Sequence, residues 1–227
     1  MTKAIEQIMR AAPVIPVLVV DDADDSVPIA QALVSGGLKV LEVTLRTEAA
    51  LDAIKRMKLV PDAIVGAGTV TNETELDEAL AAGAQFIVSP GLTEPLARAA
   101  IKADVPFLPG VSSASDIMRG LDLGLTHFKF FPASTSGGIP ALKALCGPFG
   151  QIKVCPTGGI TPKTAPDWLA LPQVLCVGGS WIVPRGEPDP VAIEAAAAEA
   201  ASKAKGGIEP AAGAGSGNRT RAFSLGS

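Results

Sequence analysis

Two short segments carry side chains able to do covalent chemistry on a carbonyl compound. Phe128-Lys129-Phe130-Phe131-Pro132 places one amine inside an aromatic run. Val40-Leu41-Glu42-Val43-Thr44-Leu45-Arg46 alternates apolar and polar residues without a break. A strand repeats every two residues, so Leu41, Val43 and Leu45 share one face and Glu42, Thr44 and Arg46 share the other. By the same period Lys129 faces away from the side taken by Phe128 and Phe130. If those rings pack against helices, the lysine points into the interior. Fully buried lysines are rare, and an apolar setting favours the neutral amine over the ammonium. A neutral amine attacks a ketone carbonyl. The plainer alternative is a lysine whose stem is buried while its head reaches solvent. For Glu42, Thr44 and Arg46 the plainer alternative is a solvated strand face.

Glycine and hydroxyl residues gather at three further places. Gly66-Ala67-Gly68-Thr69 offers close backbone approach and one hydroxyl. Thr157-Gly158-Gly159-Ile160 and Gly178-Gly179-Ser180 each contain a glycine pair. Amide groups left free by such pairs converge on an oxyanion, with help from a helix N-terminus if one follows. Tight turns would account for the same glycines. His127 is the only histidine. It shares the facing of Lys129, and a polar residue at the start of a strand is favoured over a catalytic base.

The elements that must position these residues alternate along the chain. Strands are expected near Val14–Val20, Val40–Arg46, Ala63–Val70, Gln85–Pro90, Pro106–Val111, His127–Pro132, Lys153–Thr157 and Val174–Gly178. Amphipathic Ala/Leu-rich stretches lie between them: Pro28–Ser35, Ala49–Met57, Glu73–Ala82, Glu94–Ala103, Ala114–Leu123, Ile139–Leu145, Pro162–Leu171 and Pro190–Lys205. Gly36, Gly83 and Gly124 stand where left-handed helix caps are wanted. Eight β-α units predict an α/β fold of the (β/α)₈ TIM-barrel type, although doubly wound sheets show the same alternation. A further helix, Lys3–Met9, would cover the bottom of the barrel. Residues 1–205 read as this single domain. Residues 206–227, rich in Gly, Ala and Ser, read as a flexible tail. In such barrels the active site lies at the C-terminal ends of the strands, and the loops after the seventh and eighth strands commonly bind phosphate. Both glycine pairs fall in those two loops.

Composition narrows the function classes. The chain has 227 residues, 48% of them hydrophobic, with no tyrosine and a formal net charge of −4, so no broad basic face for nucleic acid is expected. The three cysteines, Cys146, Cys155 and Cys176, form no C-x-x-C pair, which argues for a reducing compartment and against zinc or a disulfide framework. No His/Cys/Asp cluster has metal-ligand spacing, so a metal-independent mechanism without a cofactor is the simpler expectation. No membrane span or secretory leader is visible, and a cytoplasmic protein is expected.

Taken together and in order, these segments resemble the 2-keto-3-deoxy-6-phosphogluconate (KDPG) aldolase / 4-hydroxy-2-oxoglutarate aldolase family. The resemblance is carried by Leu41-Glu42-Val43-Thr44-Leu45-Arg46-Thr47, Val65-Gly66-Ala67-Gly68-Thr69-Val70 and Val88-Ser89-Pro90-Gly91. Phe128-Lys129-Phe130-Phe131-Pro132-Ala133, Cys155-Pro156-Thr157-Gly158-Gly159-Ile160 and Gly178-Gly179-Ser180-Trp181 complete it, from about Ile8 to Lys205. It implies a class I aldolase of the Entner–Doudoroff pathway, a homotrimer, that cleaves KDPG to pyruvate and glyceraldehyde 3-phosphate. Activity on 4-hydroxy-2-oxoglutarate is implied as well. By position, Lys129 is the Schiff-base lysine and Glu42 the general acid/base, acting through a water. Arg46 and Thr69 hold the substrate carboxylate, and Gly158, Gly159, Gly179 and Ser180 hold the phosphate. Ser134 is a departure: many relatives carry Glu after Phe-Pro-Ala, which bears on the local loop and aldehyde preference rather than on the lysine chemistry. Rival readings are an aldolase for the galactonate-derived C4 epimer, another phosphosugar-binding barrel such as an isomerase or epimerase, and a non-catalytic assembly protein built on an aldolase barrel.

Overall fold

The structure, a computed structural model, describes residues 2–203; the tail expected at 206–227 lies outside the described residues. Helix α1 (Thr2–Arg10) precedes strand β1 (Val14–Leu18). The chain continues through α2 (Ser26–Ser35), β2 (Val40–Thr44), α3 (Ala50–Met57), β3 (Ile64–Gly68), α4 (Glu73–Ala82) and β4 (Ile87–Val88). Next come α5 (Glu94–Lys102), β5 (Phe107–Leu108), β6 (Gly110–Val111), α6 (Ala114–Asp122) and β7 (His127–Phe130). The described part closes with α7 (Gly138–Cys146), β8 (Lys153–Pro156), α8 (Ala165–Leu169), β9 (Val177–Gly179) and α9 (Pro190–Ala201).

Local chemistry sets the ends of these helices. Asn72 accepts a hydrogen bond from the Glu75 amide at the start of α4, and Gly83 ends the helix at φ 97°. Ser113 and Asp116 form a reciprocal capping box on α6. Asp189 accepts from the Val191 and Ala192 amides at the start of α9. Gly124 is left-handed as expected (φ 77°), but Gly36 is not: it caps α2 at φ −74°, and Gly37 takes the left-handed conformation at φ 93°. Gly36 serves packing instead. A Cβ there would stand 2.5 Å from Ala197 Cβ and 2.6 Å from the Glu194 carbonyl oxygen, where α2 meets α9.

The strands pair in parallel throughout. One sheet has the order β5-β4-β3-β2-β1-β9 and the other β6-β7-β8. The fifth expected strand, Pro106–Val111, is divided into β5 and β6 because Pro109 has no N–H for the ladder. Its carbonyl still accepts the Lys129 amide at 2.8 Å. The eighth is shorter than expected, with an isolated bridge Val154↔Val174 preceding β9; a second bridge joins Thr157 to Gly178.

Two apolar clusters show that the parallel sheet is curled into a half-barrel with helices outside. The larger contains Leu41, Val43, Val65, Ala67, Phe128, Phe130 and the buried faces of the helices. The smaller contains Ile15, Val40, Phe86, Val88, Leu108, Cys155 and Cys176 on the concave side, with Ile5 and Met9 of α1 packed against them. The period-two assignment of β2 and β7 therefore holds: Leu41 and Val43, like Phe128 and Phe130, face the helices. α1 covers the concave cluster, at the end where β7 begins with His127.

Candidate active site

Alternation on β2 and β7 sends Glu42 and Lys129 to the same interior space from strands far apart in sequence. Lys129 Nζ donates to Glu42 Oε1 at 2.9 Å, and the two side chains are only 7% and 4% exposed. The surroundings expected for Lys129 were apolar; the structure adds a carboxylate. Removing two charges from water is costly, and their pairing offsets the loss. Lys129 Nζ also lies 5.3 Å from the centre of the Phe131 ring, within cation–π reach. The amine is thus held by a proton acceptor on one side and an aromatic ring on another.

Small residues on neighbouring strands make room for the polar side chains. Gly110 pairs with Lys129 in the β6–β7 register, and a Cβ there would collide with the Pro90 backbone. A Cβ on Gly68 would meet the Glu42 carboxyl group, and one on Gly178 would meet Thr157. Deeper on the concave side, Gly66 leaves the space that the Phe86 ring fills. The Thr157 hydroxyl is buried, 3.8 Å from Cys155 Sγ. Sequence reasoning did not single Thr157 out as a site residue. The rule used for β2, a polar residue at period two near a strand end, would have found it.

Thr44, grouped with Glu42 and Arg46 by facing, is buried and donates to the Leu18 carbonyl at 2.7 Å, tying β2 to β1. Arg46 is exposed just beyond β2, and its guanidinium has no carboxylate partner among the described residues. Thr69 is half-buried directly after β3 and holds φ at 62°. That conformation is an outlier for a β-branched residue and costs about 1–3 kcal/mol. The two site threonines thus differ: Thr44 is satisfied internally, whereas the Thr69 hydroxyl has no hydrogen-bond partner among the described residues.

The glycine pairs occupy loops, but no helix starts directly after them. Gly158 and Gly159 take φ of 104° and 72°, and the Gly159 amide makes no hydrogen bond among the described residues. The helix expected from Pro162 begins at Ala165. Thr161 and Thr164 delay it, because each backbone N–H donates to the other's hydroxyl, at 3.0 and 3.3 Å. After β9, Ser180 is exposed and the next helix waits until Pro190. Pro184, Gly186 and Pro188 interrupt the chain between them. The helix after the first pair is therefore displaced by three residues, the last helix starts at Pro190 as expected, and neither follows its glycine pair directly. Gly179 is buried against the Trp181 ring and Val14, which by itself explains the missing side chain. Ser134 sits over the other pair: its amide donates to the Gly158 carbonyl at 3.0 Å, and its side chain covers the space a Cβ on Gly159 would need.

His127 takes no part in this arrangement. It opens β7 and is buried, with Nε2 3.6 Å from Glu6 Oε2 of α1 and Nδ1 3.1 Å from the Thr126 hydroxyl. Burial holds its pKa below the usual histidine value, only partly opposed by the Glu6 charge. No group of three or more His, Cys, Asp or Glu suited to a metal ion occurs among the described residues. None of the described helices is long and apolar enough to cross a membrane.

Known proteins are similar to this chain in sequence and in fold. The sequence model of the family described as KDPG and KHG aldolase matches residues 5–196. A 2-dehydro-3-deoxy-phosphogluconate aldolase of Zymomonas mobilis is 59% identical over 198 residues, covering 87% of this chain and 95% of the relative. The crystal structure of the 2-keto-3-deoxy-6-phosphogluconate aldolase of Zymomonas mobilis ZM4 with 3-phosphoglycerate superposes with a TM-score of 0.90 at 56% identity. That match covers 92% of this chain and all of the other. The KDPG aldolase of Legionella pneumophila, with pyruvate captured at low pH as a covalent carbinolamine, gives a TM-score of 0.84 at 46% identity, covering 87% and 98% of the two chains. On the match to residues 5–196 and an identity of 59% over nearly the whole relative, this chain belongs to the KDPG and KHG aldolase family.

Proposed function

We propose that this chain is a class I aldolase, a carbon–carbon lyase, that cleaves KDPG to pyruvate and glyceraldehyde 3-phosphate through a Schiff base on Lys129. The single observation that carries the reading is the buried Lys129–Glu42 pair at 2.9 Å. A carbinolamine of pyruvate in the Legionella relative supports the covalent chemistry. Glu42 is placed to take the proton from Lys129, directly or through a water, as the amine adds to the C2 ketone. Glu42 returns that proton to the carbinolamine hydroxyl, which leaves as water, so that the iminium forms and the carboxylate is free again. Glu42 then accepts the C4 hydroxyl proton, the C3–C4 bond breaks, and its electron pair passes into the iminium to give an enamine. The aldehyde leaves, the enamine is protonated at C3, and hydrolysis returns pyruvate and the free lysine.

Arg46 and Thr69 are assigned to the substrate carboxylate. Arg46 suits a bidentate contact because its guanidinium is exposed and has no carboxylate partner among the described residues. Gly158, Gly159, Gly179 and Ser180 are assigned to the phosphate, supported by the Gly159 amide, which is unbonded among the described residues, and by the 3-phosphoglycerate complex of a relative. Phosphate binding far from the breaking bond lets its binding energy position the reacting centre. The reading extends to 4-hydroxy-2-oxoglutarate as a second substrate, to a cytoplasmic homotrimer and to a place in the Entner–Doudoroff pathway.

The same reading takes residues 1–205 as one closed (β/α)₈ barrel with an N-terminal helix and 206–227 as a flexible tail. Two features support closure: β5 and β6 are separated only by Pro109, and the Thr157↔Gly178 bridge links the two sheets at their other edges. Reduction with borohydride in the presence of pyruvate tests the chemistry. Peptide mass analysis is expected to place a stable pyruvyl adduct on Lys129. An unmodified Lys129 with the label elsewhere would overturn the assignment.

A further inference from the structure

We infer that Gly68 is a positioning residue for the aldol step: its missing side chain is what lets the Glu42 carboxylate turn toward Lys129. The inference rests on the acid/base reading of Glu42 and goes beyond it to the residue that orients the acid/base group. Gly68 ends β3 and pairs with Thr44 of β2, two positions on from Glu42 along the same face. A Cβ built on Gly68 would lie 2.3 Å from Glu42 Oε1, 2.7 Å from Cγ and 2.9 Å from Cδ. Its three nearest atoms all belong to this one side chain. Oε1 is also the atom that accepts the Lys129 hydrogen bond.

The neighbouring glycines answer to different partners. Gly66 faces the Phe86 ring, Gly110 the Pro90 backbone and Gly178 Thr157. Only Gly68 has the acid/base group as its constraint. The three nearest atoms belong to a flexible side chain, from Cγ to Oε1, so an added methyl displaces the carboxylate while the strand keeps its register. Glu42 is buried, and its side chain has no second interior polar partner among the described hydrogen bonds. A displaced carboxylate therefore loses Lys129 without gaining a replacement. A shift of about 1 Å in a reacting group is enough to cost roughly a hundredfold in rate.

The test is a double-mutant cycle on the full-length enzyme, read as pyruvate release from KDPG and as borohydride-trapped pyruvate. Residues that act through one another give non-additive losses. G68A is expected to lower kcat by about 10- to 100-fold with KM changed far less, whereas E42Q lowers it by roughly 10²–10⁴-fold. In the E42Q background G68A is expected to cost less than about threefold, because the group it displaces has already been disabled. G66A, which presses on Phe86 in the same strand, is the control and should multiply with E42Q. Trapping at Lys129 should survive in E42Q and G68A. If G68A multiplies in full with E42Q, the positioning role falls and the acid/base reading of Glu42 stands. If E42Q turns over normally, the acid/base reading falls and takes this inference with it. Thermal unfolding covers the case in which G68A folds poorly: because E42A removes the clashing side chain, G68A is then expected to lower the melting transition far less in the E42A background than in the unaltered protein. An equal loss of melting temperature in the two backgrounds overturns the inference.

Discussion

At the scale of the residue, Lys129 and Glu42 need each other before they need a substrate. Each alone would be a buried charge, and removing one partner of such a pair commonly destabilises a protein by about 3–5 kcal/mol. The pair also solves a chemical problem, since the amine must give up a proton before it attacks and the nearest acceptor is already hydrogen-bonded to it. Arg46 stands in a different relation to the fold. It is exposed and has no carboxylate partner among the described residues, so its loss should leave stability nearly untouched. R46A is therefore expected to fold normally and to raise KM for KDPG about 10- to 100-fold, the equivalent of a charge-assisted hydrogen bond worth about 1.5–3 kcal/mol. Steady-state kinetics beside a thermal melt checks this; an unchanged KM would remove Arg46 from the carboxylate site.

The elements decide where the acid sensitivity of the fold resides. α1 packs against the concave cluster through Ile5 and Met9, and from the same helix Glu6 faces His127 at the start of β7. Thr126, Arg10 and Lys153 are the other polar or charged groups around that imidazole. Because burial depresses the folded-state pKa of His127, the unfolded chain takes up a proton that the folded chain resists. The stability tied to His127 is therefore fully present above its unfolded pKa of about 6.5 and is lost as pH falls below that value. Glu6, whose carboxyl is held below its usual value by Arg10, acts in the same direction at lower pH. Urea unfolding at pH 7.5 and 5.5 is expected to show a loss of stability on acidification that is smaller in H127Q. Equal losses in both proteins would refute the assignment. Elements also explain the sequence expectations that changed. Strand and helix periods are local, so the starts and facing of β2 and β7 and the span of α4 read correctly, while both strands end two residues early. A helix that has to begin after Pro162 depends on how Thr161 and Thr164 bond each other, and the role of Gly36 depends on α9, which lies far from it in sequence.

For the whole molecule, the proposed oligomeric state and tail lead to one hydrodynamic experiment. The proposed homotrimer predicts a sedimenting species of three times the 23.0 kDa chain mass, and still three chains per particle when residues 206–227 are removed. Sedimentation velocity on the full-length and shortened proteins, with kcat for each, tests both proposals. A monomer would remove the trimer, and loss of activity on shortening would give the tail a role in the site.

Much of the candidate site was legible in Phe128-Lys129-Phe130 and Val40–Arg46, because strand facing follows from a period of two and needs no knowledge of distant residues. That alternation put Lys129, Glu42 and Thr44 inside and their apolar neighbours against the helices, as the two clusters bear out. Family membership was legible for a related reason: short motifs in a fixed order survive without reference to three-dimensional contacts. Only the tertiary structure decided what each inward side chain meets. Lys129 and Glu42 lie 87 residues apart, and nothing within either segment specifies that they touch. The same holds for Gly68 beneath the Glu42 carboxylate and for Thr44 turned to the Leu18 carbonyl, since contact across a curled sheet depends on register and closure. The alternation determined direction, and the fold chose the partner.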